Sequence, residues 1–424
     1  MNKLGKKEPR MDTDEHGCDF LEKLLDGAEV EWKPLGEVAD IYGGLTGKSK
    51  KDFEDGNAKY ISYKNIFENI HIDFNDFSQV RVSENENQHD VRYGDVLFTG
   101  SSETAIEAGM SSAVTRGFQE EVYLNSFSFG VRFNKSITLI PEFSKYLFRS
   151  SFMRREIAKT ASGVTRFNIS KARFKKLLIP IPCPENPEKS LAIQAEIVRI
   201  LDTFTELTAE LTAELTARTK QYNYYRDQLL TFDLPAGRQV EWTKLGEIAK
   251  IGTGSHDTKD AIDEGDYIFY ARGRKPLRLD SYDFDETAII TAGDGVGVGK
   301  VFHWAEGKYA LHQRAYRIVP GDDIESRYIY HYLISTFYTY VKKVSVHASV
   351  TSLRKPMFLK LPIPIPPLKE QARIVAILDK FDTLTHSISE GLPREIELRQ
   401  KQCEYYRDLL LNFPKSEPQT EGVA

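Results

Sequence analysis

VEWKPLGEVADI at residues 30–41 returns as VEWTKLGEIAKI at residues 240–251, and this return decides how the chain is built. Val30, Glu31, Trp32, Leu35, Gly36, Glu37, Ala39 and Ile41 each reappear at an offset of 210 residues. Working outward, KKLLIPIP (175–182) matches FLKLPIPIP (358–366), and QAEIVRILDTF (194–204) matches QARIVAILDKF (371–381). YYRDQLLTF (224–232) matches YYRDLLLNF (405–413). Four blocks recurring in the same order mark a duplicated half.

The blocks frame two kinds of segment. Between the EW-LGE and PIP blocks, short apolar runs alternate with Gly, Asn, Asp and Ser, as in KYISYKNI (59–66), DVLFTG (95–100), YIFYARG (267–273) and AIITAGDG (288–295). This period and punctuation read as short strands. SKYLFRSSFMRREIAK (144–159) and ESRYIYHYLISTFYTYVKK (325–343) read as helices, so each segment is a mixed α/β globule.

After each PIP block the period changes. Ile193, Ile197, Ile200, Leu201, Phe204, Leu207, Leu211 and Leu215 recur every three or four residues, one apolar stripe on a long helix. Leu191 to Phe232 spans 42 residues, about 63 Å at ~1.5 Å per residue. Ile374, Ile377, Leu378, Phe381, Leu384 and Ile388 repeat the stripe, and Gly391 and Pro393 should interrupt it before EIELRQKQCEYYRDLLL. PIPIP and PIPIPP cannot be helical and read as extended hinges from globule to helix. A lone striped helix of this length needs a partner, and its own repeat supplies one. The expected fold is α+β: two pseudo-repeated mixed α/β domains joined by two long antiparallel helices as a coiled-coil spacer. The segments are an N-terminal tail (1–19), a first domain (20–184), a spacer helix (185–234), a second domain (235–367), a second spacer helix (368–414) and a tail (415–424).

Composition narrows the class. At ~150 residues per domain, 424 residues make two or three globular units, with 41% hydrophobic and 28% charged residues. No apolar run approaches the ~18–20 residues of a membrane span, and MNKLGKKEPRMDTDEHG has no apolar stretch of a secretory signal. A cytoplasmic location is the expectation. Cys18, Cys183 and Cys403 stand far apart, without the spacing of a disulfide framework or zinc site. A net charge of −5 neither announces nor excludes nucleic acid, because local patches matter more than totals.

Several motifs tempt and fail. GGLTGKS (43–49) has Tyr42 where a phosphate loop needs its first glycine, and GDGVGVGK (293–300) has Val298 where GxGxxG needs its last. The nine histidines form no HExxH. No GxSxG and no NPP[YF]-like methylation loop occurs, so the sequence carries no catalytic constellation and no metal set.

Basic patches do occur, at equivalent places. Residues 154–176 hold Arg154, Arg155, Lys159, Arg166, Lys171, Arg173, Lys175 and Lys176 against Glu156 alone, and residues 342–360 hold Lys342, Lys343, His347, Arg354, Lys355 and Lys360 with no acid. Inside them lie GVTRFNIS (163–170) and SVTSLRKP (349–356), which share a Val-Thr core. For any single residue a solvated surface explains the charge, whereas the duplicated patch points to DNA. Polar and basic side chains on Gly-punctuated loops suit phosphate and base-edge contacts. The candidate DNA contacts are Lys48, Lys50, Lys51, Ser101, Ser102, Thr165, Arg166, Asn168 and Lys171 in the first half. In the second they are Arg272, Arg274, Lys275, Lys300, Thr351, Ser352, Arg354 and Lys355.

With repeat, PIP blocks and helices in hand, residues 20–413 resemble a type I restriction–modification specificity subunit. The most specific parts are NPEKSLAIQAEIVRILDTF, TELTAELTAEL (205–215), KQYNYYRDQLL and GLPREIELRQKQCEYYRDLLL, which look like the helical spacers of the type IC branch. The resemblance implies two target-recognition domains, each reading one half of a split double-stranded DNA site. It also implies docking of two methyltransferase (modification) subunits and of restriction subunits on the spacer, with Leu207, Leu211, Leu215, Tyr224, Tyr225, Arg226, Tyr405, Tyr406 and Arg407 as spacer and docking residues. It implies no catalysis, cofactor or membrane for this chain, with S-adenosylmethionine, ATP and Mg2+ on the partner subunits. The alternative is a non-catalytic scaffold joining two partners without DNA readout; salt-dependent retardation of a duplex separates the two. An enzyme with an unrecognised site is a third reading.

Overall fold

The computed structural model describes residues 15–135, 137–232, 240–344, 352–387 and 389–415. The chain divides into two compact units, Met1–Ala209 with Glu397–Ala424, and Glu210–Ile396. In the first, an antiparallel sheet runs in the order Ala39–Gly43, Ser128–Phe133, Val96–Thr99, Ser111–Ala113. A smaller sheet places Ala58–Ile61 between Ser78–Val80 and Val122–Leu124, the latter parallel to it. The second unit repeats the plan. Ala249–Thr253, Ala315–Pro320, Ala288–Ala292 and Phe302–Ala305 form the antiparallel sheet, and Tyr267–Tyr270 lies parallel to Lys308–Leu311 in the other.

The PIP blocks are extended, as expected, but they are not hinges. Leu178–Pro182 pairs antiparallel with Val30–Pro34, and Pro362–Ile365 with Glu241–Lys244, so each globule is closed by its own two repeat blocks. Bonds from Cys183 N–H to Glu29 and from Leu35 N–H to Leu177 set the parity of the first ladder. Pro180 and Pro182 then fall on non-hydrogen-bonded pairs, where a missing N–H costs nothing. The bond from Leu245 N–H to Leu361 gives Pro362 and Pro364 the same parity.

Two local readings change. KYISYKNI is a strand only to Ile61; the Ser62 side chain accepts the Asn65 N–H at 3.1 Å and starts the helix Tyr63–Glu68. Residues 144–159 form two helices, Pro141–Leu147 and Ser151–Thr160, because Ser150 caps the second.

The first spacer helix, Pro187–Leu230, has 44 residues. The second breaks where expected, into Leu368–His386 and Gly391–Leu410. Gly391 has φ +79°, and a Cβ there would sit 2.3 Å from the Thr383 carbonyl, so the break requires glycine. Each unit receives one part of each spacer. Ile193, Ile197 and Leu201 enter the first core beside Leu410, Leu411 and Phe413 from the end of the chain. Tyr222 and Leu230 enter the second core beside Ile374 and Leu378.

The repeated Q…ILD block explains how helix and globule are locked. Gln194 accepts the Ile140 N–H at 3.0 Å and donates to the Thr138 carbonyl, while Gln371 accepts the Glu325 N–H at 3.0 Å. About two turns further on, Asp202 accepts from the Lys145 ammonium and the Tyr146 hydroxyl, both at 2.6 Å. Asp379 does the same for Arg327 and the buried His331, again at 2.6 Å. Burial would raise the Asp379 carboxyl, but the hydrogen bonds from His331 and Arg327 hold it below its ordinary 3.8. A depressed folded value contributes stability above pH ~4 that is lost as pH falls through it. Asp379→Asn should therefore lower the stability of the second unit by about 1–2 kcal/mol near neutrality, allowing for partial exposure. Thermal melts should show this gap from wild type closing below pH 4.

Candidate nucleic-acid interface

In both units the strand ends that follow the two sheets converge on one face, and backbone hydrogen bonds align them. In the first unit Gly100 donates its N–H to the Phe127 carbonyl and accepts from the Ile169 N–H. In the second, Gly293 donates to the Arg314 carbonyl and accepts from the Leu353 N–H. Ser101 lies opposite Asn168, and Asp294 opposite Ser352. The basic segments therefore correspond at an offset of 184 residues, not at the 186 suggested by their Val-Thr cores. Lys171 matches Lys355, and the buried Phe174 matches Phe358. Thr351 lies outside the described residues.

The turns that precede Ser128–Phe133 and Ala315–Pro320 are built alike. The Asn125 side chain accepts the Phe127 N–H at 3.0 Å, and the His312 Nδ1 accepts the Arg314 N–H at 2.9 Å. A glycine lies against each turn: a Cβ on Gly44 would stand 1.9 Å from the Asn125 carbonyl, and one on Gly254 1.9 Å from that of Leu311. Beyond the parallel strands, Tyr63 donates its hydroxyl to the Ser101 carbonyl at 2.8 Å, while Arg272 donates to the Asp294 carboxylate at 2.9 Å.

The same frame thus carries different chemistry. Around the buried Ser101 the first unit presents Tyr63, Phe127, Asn168 and Lys171; the second presents Arg272, Asp294, Arg314, Ser352 and Lys355. In the first unit a cleft of about 620 Å³ is lined by Tyr63, Phe67, Ser101, Ser102, Glu103, Glu107, Thr165 and Arg166. Tyr63 and Phe67 stack at 5.8 Å, and Glu107 accepts from Ser102 and Thr104.

Two arginines, the half-buried Arg149 and the buried Arg154, shape this cleft. Arg149 donates to the carbonyls of Ile66, Phe67, Asn69 and Ser111 and so holds the Tyr63–Glu68 helix. Arg154 donates to the carbonyls of Ile106, Ala108 and Gly109. Burial lowers each to about 10. Arg154 is therefore a scaffold residue and not part of a solvent-facing basic patch.

Other sequence-derived candidates separate in the same way. Lys48 is not available to DNA: its side chain is 4% exposed, paired with Glu86 and bonded to the Arg81 carbonyl. Hydrogen bonds from Lys48, Gln88 and the Ser83 N–H bring the Glu86 carboxyl down to about 2. Ser101 is buried, and its hydroxyl accepts from Arg166 Nε at 3.1 Å, so it positions the arginine. Lys50, Lys51, Thr165, Arg166, Asn168 and Lys171 are exposed, as are Arg274, Lys275, Lys300, Ser352, Arg354 and Lys355. Tyr63, Phe127, Asp294 and Arg314 lie outside the basic runs and come to these faces through the matched strand ends, a correspondence the two halves carry in their sequence.

On the helices Leu207, Leu211 and Leu215 are half-buried. Tyr225 stacks on Phe381 at 5.7 Å in the second unit, and Tyr406 on Phe204 at 5.0 Å in the first, so the second tyrosine of each YYRD serves helix packing. Tyr224 is 62% exposed, and Tyr405 is also exposed. Arg226 and Arg407 pair with the neighbouring Asp227 and Asp408, and Asp408 accepts the Ser151 N–H at 2.8 Å.

The sequence profile of the type I restriction modification DNA specificity domain matches twice, at residues 28–221 and 238–398. This chain belongs to the type I restriction–modification specificity subunits. It is 36% identical to the Escherichia coli type I restriction enzyme EcoR124I/EcoR124II specificity subunit, over 94% of this chain and 98% of that one. With the EcoprrI specificity subunit of Escherichia coli it shares 34%, over 88% and 92%. The fold is that of a solved chain from a study of complex assembly in the type I R-M system (TM-score 0.61, 18% identity, 90% and 97% covered). The S subunit from M. genitalium has the same fold (TM-score 0.53, 16%, 92% and 98%). A specificity subunit is the non-catalytic DNA-recognition component, with two target-recognition domains, and it works with methyltransferase and restriction subunits. Among the described residues no helix is long and apolar enough to cross a membrane.

The specificity subunit should respond to its turn glycines one face at a time. Gly44→Ala should cost roughly 1–3 kcal/mol of local packing and impair reading of one half-site, and Gly254→Ala the other. Binding to duplexes altered in each half measures it.

Proposed function

We propose that the face at Ser101 and Arg166 reads one half of a bipartite site and the face at Asp294 and Arg314 the other. The observation that carries this reading is one backbone frame holding unlike side chains at matched points. Direct readout needs such variation, because each base pair offers its own donor and acceptor pattern. The recognition domains span 20–184 and 235–367, and the spacers 185–234 and 368–414. Thr165, Arg166, Asn168 and Ser352 approach base edges; Lys50, Lys51, Lys171, Arg274, Lys275, Lys300, Arg354 and Lys355 hold phosphates. Two modification subunits dock on the spacers beside Tyr224 and Tyr405, whose blocks recur in both halves. The chain is of the type IC branch and acts in the cytoplasm. It uses no cofactor itself, and its partners bind S-adenosylmethionine, ATP and Mg2+.

Arg166→Ala and Asn168→Ala should weaken discrimination in one half-site by about 1–3 kcal/mol per lost base contact, leaving the other half unchanged. Equal loss on specific and random duplexes would make these residues phosphate anchors.

The boundary between the units falls at Ala209 and Glu210, inside the repeated Thr-Ala-Glu-Leu run. One more TAEL after Leu215 adds ~6 Å of helix and ~40° beyond a full turn, against ~3.4 Å per base pair. Each unit keeps its own contacts. Sequencing of modified bases in cells carrying the insertion should show both half-sites unchanged and the gap widened, by about one base pair. An unchanged gap with full activity would overturn the ruler.

A further inference from the structure

We propose that Arg314, braced with Arg272 on Asp294, is a guanine reader, so that the half-site read by the second unit contains a G·C pair whose guanine meets Arg314. This inference rests on the reading above, that the face at Asp294 meets DNA bases.

The side-chain geometry is that of a prepared fork. Arg272 Nη1 donates to Asp294 Oδ1 at 2.9 Å, and Arg314 Nη1 to Oδ2 at 3.0 Å, so one carboxylate orients two guanidinium groups. Each guanidinium has five N–H donors, and Asp294 engages one nitrogen of each. The Arg314 side chain is 64% exposed and that of Asp294 19%, so the brace lies beneath and the arginine outside. Its backbone is held on both sides, by the N–H to His312 and by the carbonyl that accepts from Gly293. Burial first, and then the positive charge of Arg272, lowers the pKa of His312, which keeps the imidazole neutral and able to accept. The adjoining Gln313 donates its N–H to the His256 carbonyl and its side-chain amide to Asp257 at 3.0 Å, which holds the turn in place.

The carboxylate argues for a base and against a phosphate. An arginine that holds phosphate gains from unscreened positive charge, and a carboxylate at 3.0 Å subtracts from it. Base reading gains from a fixed plane, because two parallel N–H bonds must meet O6 and N7 of guanine together. The first unit makes the contrast internal. Phe127 and Tyr63 occupy the matching positions there, and neither offers paired donors. The two half-sites should therefore differ at the base pair facing this point.

The test uses the assembled complex with its modification subunits. Sequencing of modified bases gives the wild-type site, and competition binding with single-base-pair variants of that site reads each position. Arg314→Lys keeps the charge and loses the fork. It should reduce discrimination at one G·C pair roughly ten- to hundredfold, with unchanged affinity for random duplex and an unchanged salt slope. Arg314→Ala should affect the same base pair, and Asp294→Asn should produce a smaller loss there. Melting temperatures confirm that the variants are folded. Uniform weakening on all duplexes with a shallower salt slope would make Arg314 a phosphate contact and overturn the inference. An effect centred on an A·T pair, or on no pair, would overturn it as well. A wild-type complex without sequence preference would instead overturn the reading on which the inference rests.

Discussion

An apolar stripe on a 44-residue helix must find apolar partners in water. The chain meets this constraint by giving the helix two cores. Its first turns seat Ile193, Ile197 and Leu201 in one unit, and its last turns seat Tyr222 and Leu230 in the other. The end of the chain then completes the first core with Leu410, Leu411 and Phe413. The tail of each repeat thus belongs to the globule of the other repeat, which is why the YYRD blocks recur although they pack against different neighbours.

The polar part of the seam is equally specific. Gln194 and Gln371 satisfy backbone groups ahead of the globule helices, and Asp202 and Asp379 take the charged or hydroxyl groups from those helices. The partners differ, Lys145 and Tyr146 in one unit and Arg327 and His331 in the other, but the acceptor does not move. A half-buried carboxylate is stabilised in its ionised form by such donors, so the motif recurs in both halves as an acceptor for unlike donors.

Beside these fixed contacts the faces proposed to read DNA are free to diverge. Backbone bonds at Gly100 and Gly293 fix where the strand ends lie, and Gly44 and Gly254 let the turns approach without a Cβ in the way. Side chains on that frame then carry the chemistry. Arg149 and Arg154 in the first unit replace what a carboxylate does in the second: they hold loops by donating to carbonyls, where Asp294 holds arginines by accepting from them.

Much of this was legible in the sequence. Duplication is a property of the residue string, and a 3.6-residue stripe, a Gly-Pro break and prolines at alternate positions are local signals with local causes. They determined the repeated α/β halves, the long helix, an interruption near Gly391 and the extended PIP segments, although the helix restarts at Gly391 itself with Pro393 in its first turn. Local signals also allowed the start of the helix at Ser62 and its restart at Ser150 to be read, had the caps been weighed against the apolar runs. What only the tertiary structure decided is which partner each polar group meets. Lys48 and Arg154 look in sequence like the exposed Lys50 and Arg155, yet Glu86 consumes one and three carbonyls the other. Charge counts along a chain carry no such information, because ion pairs and hydrogen bonds form between residues distant in sequence. For the same reason Phe127, Asp294 and Arg314, which lie in no basic run, reach the faces proposed to read DNA only through strand ends brought together by folding.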